Sequence, residues 1–324
     1  MKREDLRIVY MGTPDFAVES LRVLVENGYN VVGVVTMPDK PIGRHMSELQ
    51  SSPVKQYAVS QNIPVLQPEK LKDEAFINEL RALNADLQIV VAFRMLPEVV
   101  WNMPRLGTFN LHASLLPQYR GAAPINWAVI NGDTETGVTT FFLTHEIDTG
   151  KIILQKRTPI GETENVGDIH DRLMKIGGAL VMETVDLILE GKAEAIPQEE
   201  FFTTEAELRP APKIFKDTCR IDWQQPAKKI YDFIRGLSPY PAAWTNLCSQ
   251  EGKPQVMKIY AAEYRLEEHT LPVGTLYLVG KKIVDVAVKD GFIRLVSVQL
   301  AGKKQMSVGD FLNGFKDIET YRVN

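Results

Sequence analysis

Cysteine is scarce in this chain: Cys219 and Cys248 are the only two in 324 residues. Neither has a metal-ligand partner at close spacing, and two thiols do not make a disulfide framework. Long apolar runs are missing as well, since none approaches the roughly 20 residues that span a bilayer. The N-terminus, MKREDLRIVYMG, passes from charge straight into a strand-like run, with neither a signal-peptide apolar region nor a small-residue cleavage site. These absences predict a cytoplasmic protein with no membrane attachment and reduced, structural cysteines. Glycine is sparse where a dinucleotide-binding protein needs it. The turn Gly12-Thr13-Pro14-Asp15 lacks the GxGxxG fingerprint, which disfavours a nicotinamide cofactor.

What is present is ordinary for a globular protein with a substantial core, at 44% hydrophobic and 24% charged residues. The length favours two domains. The net charge of -4 is unevenly spread. From Arg209 onward there are 18 Lys and Arg against 12 Asp and Glu, a net of +6; residues 1–208 hold 19 against 29, a net of -10. This is either ordinary variation in solvated charge or a polyanion-binding module attached to an acidic body.

Along the chain, LRIVYM is a short apolar strand, and Ala17, Val18, Leu21, Leu24 and Val25 share one face of a helix stopped at Gly28. The continuously apolar YNVVGVVT follows, which completes a βαβ unit. The loop to Pro53 is long for such a connection and predicts a functional segment. Ser52-Pro53 reads as an N-cap with proline at the first helical position. A helix is predicted over Lys72–Asn84, a buried strand at LQIVVA, further strands at TFNLH, 136–144 and 151–157, and a long helix at 167–189. The Gly177-Gly178 pair in that last helix predicts close packing or a bend. Residues 190–208 lose periodicity and gain Pro and Glu, which predicts a linker between a domain at 1–189 and one at 209–324. Five short strands in the last domain suggest a small barrel of the oligonucleotide-binding type.

The chemistry concentrates between Phe109 and Asp148, from FNLHASLLPQYRGAAP to HEIDTG. Asn110 and His112 are two apart, so an extended TFNLH points both to one face. An amide donor beside an imidazole is what nucleophilic addition to a carbonyl requires: one group for the developing oxyanion, one to move a proton. Asp148 is a candidate to orient the histidine. The alternatives are a hydrogen-bonded core histidine and a turn-forming asparagine. His145 competes for the role but has no amide at strand spacing. Ser114 has no G-x-S-x-G elbow and reads as a loop hydroxyl. Arg120 is either a ligand cation or a salt-bridge partner.

GTPDFAV, NLHASLLPQYRGAAPI, DTGKI, IDWQQPA, RGLSPYPAAW and VQLAGKKQMS together resemble the methionyl-tRNA formyltransferase family over essentially the whole length. The resemblance implies a Rossmann-like α/β formyltransferase domain with a mainly parallel sheet, followed by an OB-like barrel that helps hold tRNA. It implies transfer of the formyl group of 10-formyltetrahydrofolate to the amine of initiator methionyl-tRNA, with no metal, in a cytoplasmic monomer. By position, Asn110 would stabilise the oxyanion, His112 handle a proton, and Asp148 support the histidine and the amine. Ser114, Leu115, Leu116, Pro117 and Phe93 would line the folate pocket, and Arg44 would meet the tRNA acceptor end. Two stretches depart from the family pattern: Ser47, Glu48 and Leu49 stand where a lysine pair is usual, and AFRMLP replaces a longer tyrosine-glycine loop. A folate-dependent formyltransferase acting on a nucleotide-sugar amine, and a non-catalytic RNA-binding or folate-sensing protein, are the competing readings.

Overall fold

The computed structural model describes residues 2–42, 48–249 and 252–324. The chain forms two compact units. The first comprises Met1–Pro124, Thr136–Thr158 and His170–Pro210, and the second Ile125–Glu135, Pro159–Ile169 and Ala211–Asn324.

The first unit opens with β1 (Arg7–Gly12), α1 (Phe16–Glu26) and β2 (Asn30–Val35), the two strands parallel. A hairpin of β3 (Lys40–Ile42) and β4 (Glu48–Gln50) precedes α2 (Pro53–Ser60). As the sequence predicts, Pro53 sits in the first turn of α2, and the Ser52 hydroxyl accepts from the Lys55 amide at 3.0 Å. β5 (Val65–Leu66), α3 (Glu74–Ala82), β6 (Leu87–Val91), α4 (Glu98–Trp101) and β7 (Thr108–His112) follow. Helix α3 is shorter than Lys72–Asn84 because Asp73 is extended, with ψ 129°, ahead of its first turn and Asn84 turns left-handed, with φ +48°, beyond its last. After α5 (Pro124–Ile130) come β8 (Glu135–Phe142), β9 (Ile152–Pro159) and α6 (Val166–Leu189).

The sheet runs β5-β2-β1-β6-β7-β8-β9. It is parallel from β5 to β7, and β8 lies antiparallel to β7. All five residues of β6 are buried, which is why LQIVV shows no apolar-polar alternation. Val9, Met11, Val35, Phe76, Leu80 and Val90 form a core cluster, each large side chain worth about 1.5–3 kcal/mol on burial. Gly177 and Gly178 let α6 come close to its neighbours. A Cβ on Gly177 would stand 2.7 Å from Leu111, and one on Gly178 would stand 3.2 Å from Glu19.

The second unit is built on α7 (Ala227–Gly236) and the antiparallel strands β10 (Ala243–Cys248), β11 (Gln255–Leu266), β12 (Leu276–Val279), β13 (Ile283–Val288) and β14 (Gly291–Leu300). β15 (Met306–Ser307), α8 (Val308–Gly314) and β16 (Arg322–Val323) complete it. The sheet order is β12-β13-β14-β11-β10-β16, and a bridge from Arg322 to Thr275 brings the last strand back beside the first. These are the five strands the sequence predicts, curled toward a barrel.

Segments 125–135 and 159–169 belong to this unit, although they precede the linker in sequence. Helix α7 explains it. The Asn126 amide donates to Gly236 O at 2.9 Å, Tyr231 Oη donates to Glu162 O, and the buried Arg235 donates to Gly161 O and Glu164 O. Both cysteines are free, and burial pushes the Cys219 thiol up. Among the described residues, no helix is long and apolar enough to cross a membrane.

Candidate active site

The site grows from the carboxyl end of β7, the strand at which the sheet changes from parallel to antiparallel. Crevices at the carboxyl ends of strands are where open α/β sheets hold ligands. Within TFNLH, Phe109 and Leu111 are buried, while Asn110 and His112 occupy the alternate positions, as the period-two reading predicts. The Asn110 side chain is half-buried, and among the described residues no hydrogen bond occupies its amide.

His112 is 7% exposed, and its Nε2 lies 2.8 Å from the backbone oxygen of Tyr119. A carbonyl only accepts, so Nε2 carries a proton, and of the two neutral tautomers this contact selects the one with its lone pair on Nδ1. Tyr119 aims that oxygen from a left-handed backbone, φ +60°, with its own amide donating to Arg209 O at 2.6 Å. The Arg209 guanidinium lies 4.9 Å from the centre of the Tyr119 ring.

His112 Nδ1 faces Asp148 Oδ2 at 3.9 Å. That is too long for a direct hydrogen bond. The same Oδ2 accepts from the Gly121 amide at 2.9 Å, and Asp148 itself is left-handed at φ +56°. Two residues on, a Cβ at Gly150 would stand 1.6 Å from Phe142 O. Only glycine lets the DTG loop turn so close to the end of β8. With the imidazole neutral, the two atoms flanking this gap, His112 Nδ1 and Asp148 Oδ2, both accept, so an amine nitrogen set beside the pair can donate one N–H to each at about 2.9 Å.

Other predicted residues serve the loop. Ser114 is fully buried and its hydroxyl donates to Gln118 O at 2.6 Å. Its carbonyl accepts from Thr139 Oγ1 at 2.6 Å, and the Leu116 amide donates to that same oxygen at 3.1 Å. Leu116 and Pro117 are buried too, whereas Leu115 is half-buried. Phe93 is half-buried beside Arg94, whose Nη1 donates to Glu69 O at 2.7 Å while its Nη2 donates to Pro68 O. His145 is well exposed, stands 3.7 Å from Glu98 and packs edge-on to Trp101. Arg44 lies outside the described residues.

Arg120 has a partner that sequence reasoning missed. Its Nε and Nη2 donate to Gln198 Oε1 at 3.1 and 2.7 Å. Gln198 sits at the start of a short 3-10 turn, Gln198–Phe201, in the stretch read as a linker. That stretch groups with the first unit, and Ile196 bridges to Ile152. A lone glutamine among prolines and glutamates carries no sequence signal of burial. Among the described residues, no group of three His, Cys, Asp or Glu side chains is placed to hold a metal ion.

Solved structures with this fold include HypX from Aquifex aeolicus in complex with tetrahydrofolic acid, at 17% identity and a TM-score of 0.62, covering 96% of this chain and 48% of that one. WlaRD, a sugar 3N-formyl transferase solved with dTDP and 5-N-formyl-THF, matches at 19% identity and a TM-score of 0.64, covering 92% and 99%. The methionyl-tRNA formyltransferase of Parabacteroides distasonis is 76% identical over 323 residues, covering 100% of both chains. A formyl transferase family model matches residues 6–185, and a formyl transferase C-terminal domain model matches 213–316. With both models in order along the chain and a full-length relative at that identity, the chain belongs to the methionyl-tRNA formyltransferase family.

Proposed function

We propose that this protein transfers the formyl group of 10-formyltetrahydrofolate to the α-amine of methionine on initiator methionyl-tRNA, working as a cytoplasmic monomer. The observation that carries the reading is the donor-shaped gap between His112 Nδ1 and Asp148 Oδ2 beside the open amide of Asn110. An amine fills the gap with N–H groups. Its lone pair forms a bond to the formyl carbon, and the carbonyl electrons move onto oxygen. The Asn110 amide donates to that oxyanion. His112 Nδ1 takes the proton the new C–N bond makes acidic, and Asp148 stabilises the imidazolium. Collapse re-forms the carbonyl and breaks the bond to the folate nitrogen, which receives the proton.

Transfer is direct. Ser114, the hydroxyl nearest in sequence to His112, is fully buried and donates to Gln118 O, so it is not an activated nucleophile. Mass spectrometry during turnover should find no formylated protein, and trapping one would overturn this. Leu115 and Phe93 form apolar walls for the folate, with Ser114, Leu116 and Pro117 holding the loop behind them. Arg44 belongs to the same proposal as a contact with the tRNA acceptor end.

The second unit supports the tRNA reading. Cross-strand pairing places Trp244 beside Lys258 and Lys258 beside Gln299, and Arg220 lies over the Trp244 ring. Cation and aromatic side chains in one row suit phosphates and bases. The nucleotide-sugar reading rests on folds under 20% identical. The test is formyl transfer to charged initiator tRNA beside an amino-sugar nucleotide, at rising salt. The proposal expects tRNA formylation that weakens steeply with salt; preferential formylation of the sugar would overturn it.

A further inference from the structure

We infer that Gln198 is a positioning residue for formyl transfer, acting on the reaction through Asp148. Its side-chain amide is 0% exposed and fully engaged. Oε1 accepts both contacts from Arg120, while Nε2 donates to Asp148 O at 2.8 Å and to Gly150 O at 2.9 Å. The two carbonyls flank Thr149, so one amide group clasps the DTG loop on either side of its tip. Asp148 is left-handed and, among the described residues, its carboxylate takes one hydrogen bond, from the Gly121 amide.

The three residues Tyr119, Arg120 and Gly121 therefore reach the site by three routes. Tyr119 O orients His112, Gly121 N holds the Asp148 carboxylate, and Arg120 holds the Asp148 backbone through Gln198. Remove Gln198 and the loop loses the contacts to both backbone carbonyls that flank Thr149, so the 3.9 Å spacing to His112 Nδ1 loses its second fixed point. Arg120 then acts as a structural cation whose partner is an amide, outside the two roles its sequence suggests.

This inference rests on the assignment of His112 and Asp148 to catalysis, so His112→Ala is measured in parallel. Gln198→Met keeps the volume and loses every hydrogen bond. Gln198→Glu keeps an acceptor for Arg120 but turns oxygen toward two carbonyls. Each is assayed under steady-state turnover over a range of formyl-donor and charged initiator tRNA concentrations, after thermal melting shows the folded fraction. A misplaced catalytic group costs on the order of 10- to 100-fold, so kcat of both variants should fall by that much, with KM for both substrates within about threefold.

In an Asp148→Ala background, Gln198→Met should cost less than about twofold, because the residue acts through that carboxylate. A merely structural role would leave kcat per folded molecule near normal in the single variant, and an effect independent of Asp148 would multiply the two losses in the double variant; either result overturns the inference. So does a Gln198→Glu enzyme with normal turnover. If instead His112→Ala retains full turnover, it is the catalytic assignment that falls. Should Gln198→Met fail to fold, Arg120→Ala reads the same clasp from its other end, with the same expected loss and the same non-additivity with Asp148→Ala.

Discussion

Asp285 and Asp148, one in each unit, show how differently a carboxylate is held when it supports a fold and when it faces a gap. Asp285, on β13, is fully buried and takes hydrogen bonds from Arg294 at 2.8 and 3.1 Å and from Arg265. Burial opposes its ionisation, but the hydrogen bonds from the two arginines outweigh that and hold the carboxyl below the usual carboxylate range. Among the described residues the Asp148 carboxylate accepts from one backbone amide, and it stands 3.9 Å from an imidazole nitrogen, beyond direct hydrogen-bond reach. A carboxylate whose lone pairs are all matched stabilises its surroundings and does no chemistry. One left partly unmatched beside a fixed imidazole lone pair is available to an incoming N–H.

The contrast breaks most visibly at Asp285. Asp285→Asn leaves two guanidinium groups facing a neutral amide. Because both arginines are about a third exposed, the cost should be about 2–3 kcal/mol, below the roughly 3–5 of a fully buried pair. Chemical denaturation reads this directly, and turnover per folded molecule should not change. Asp148→Asn should do the opposite: stability within about 0.5 kcal/mol of the parent, and kcat lower by about 10- to 100-fold. Equal stability losses at the two sites would erase the distinction.

Acid sharpens it further. A carboxyl whose folded-state pKa is depressed contributes stability that is present above its unfolded value, about 3.9, and lost as pH falls through the folded value. Melting temperature should therefore decline below about pH 4, and less so in Asp285→Asn, which has already lost that contribution. An unchanged acid slope in the variant would remove Asp285 as its source. The smallest expected effect lies on the outer row of the second unit. Lys258→Ala should reduce the salt slope of tRNA binding by about 1 without altering the KM for the formyl donor. An unchanged slope would take Lys258 off the RNA-facing row.

Much of this was legible in residue order, for physical reasons that differ by element. The alternation in TFNLH placed Asn110 and His112 together because strand geometry has a period of two. Ser52-Pro53 marked a helix start because that helix needs a side-chain acceptor for its orphan amides. Gly177-Gly178 announced a close approach that a Cβ would block. The groups that hold the site in register were not legible. Tyr119 acts through its carbonyl, which every residue has, and Gln198 lies in a segment without periodicity. The placement of 159–169 in the second unit depends on carbonyls captured by Arg235, a contact between residues about 70 apart.

The most direct measurement is the single-turnover rate of formyl transfer to charged initiator tRNA by Asn110→Ala. The variant should fold and be slowed by on the order of 100-fold or more, the loss of one oxyanion donor, with substrate affinities close to the parent's. A folded variant that transfers the formyl group at the parent rate would contradict it.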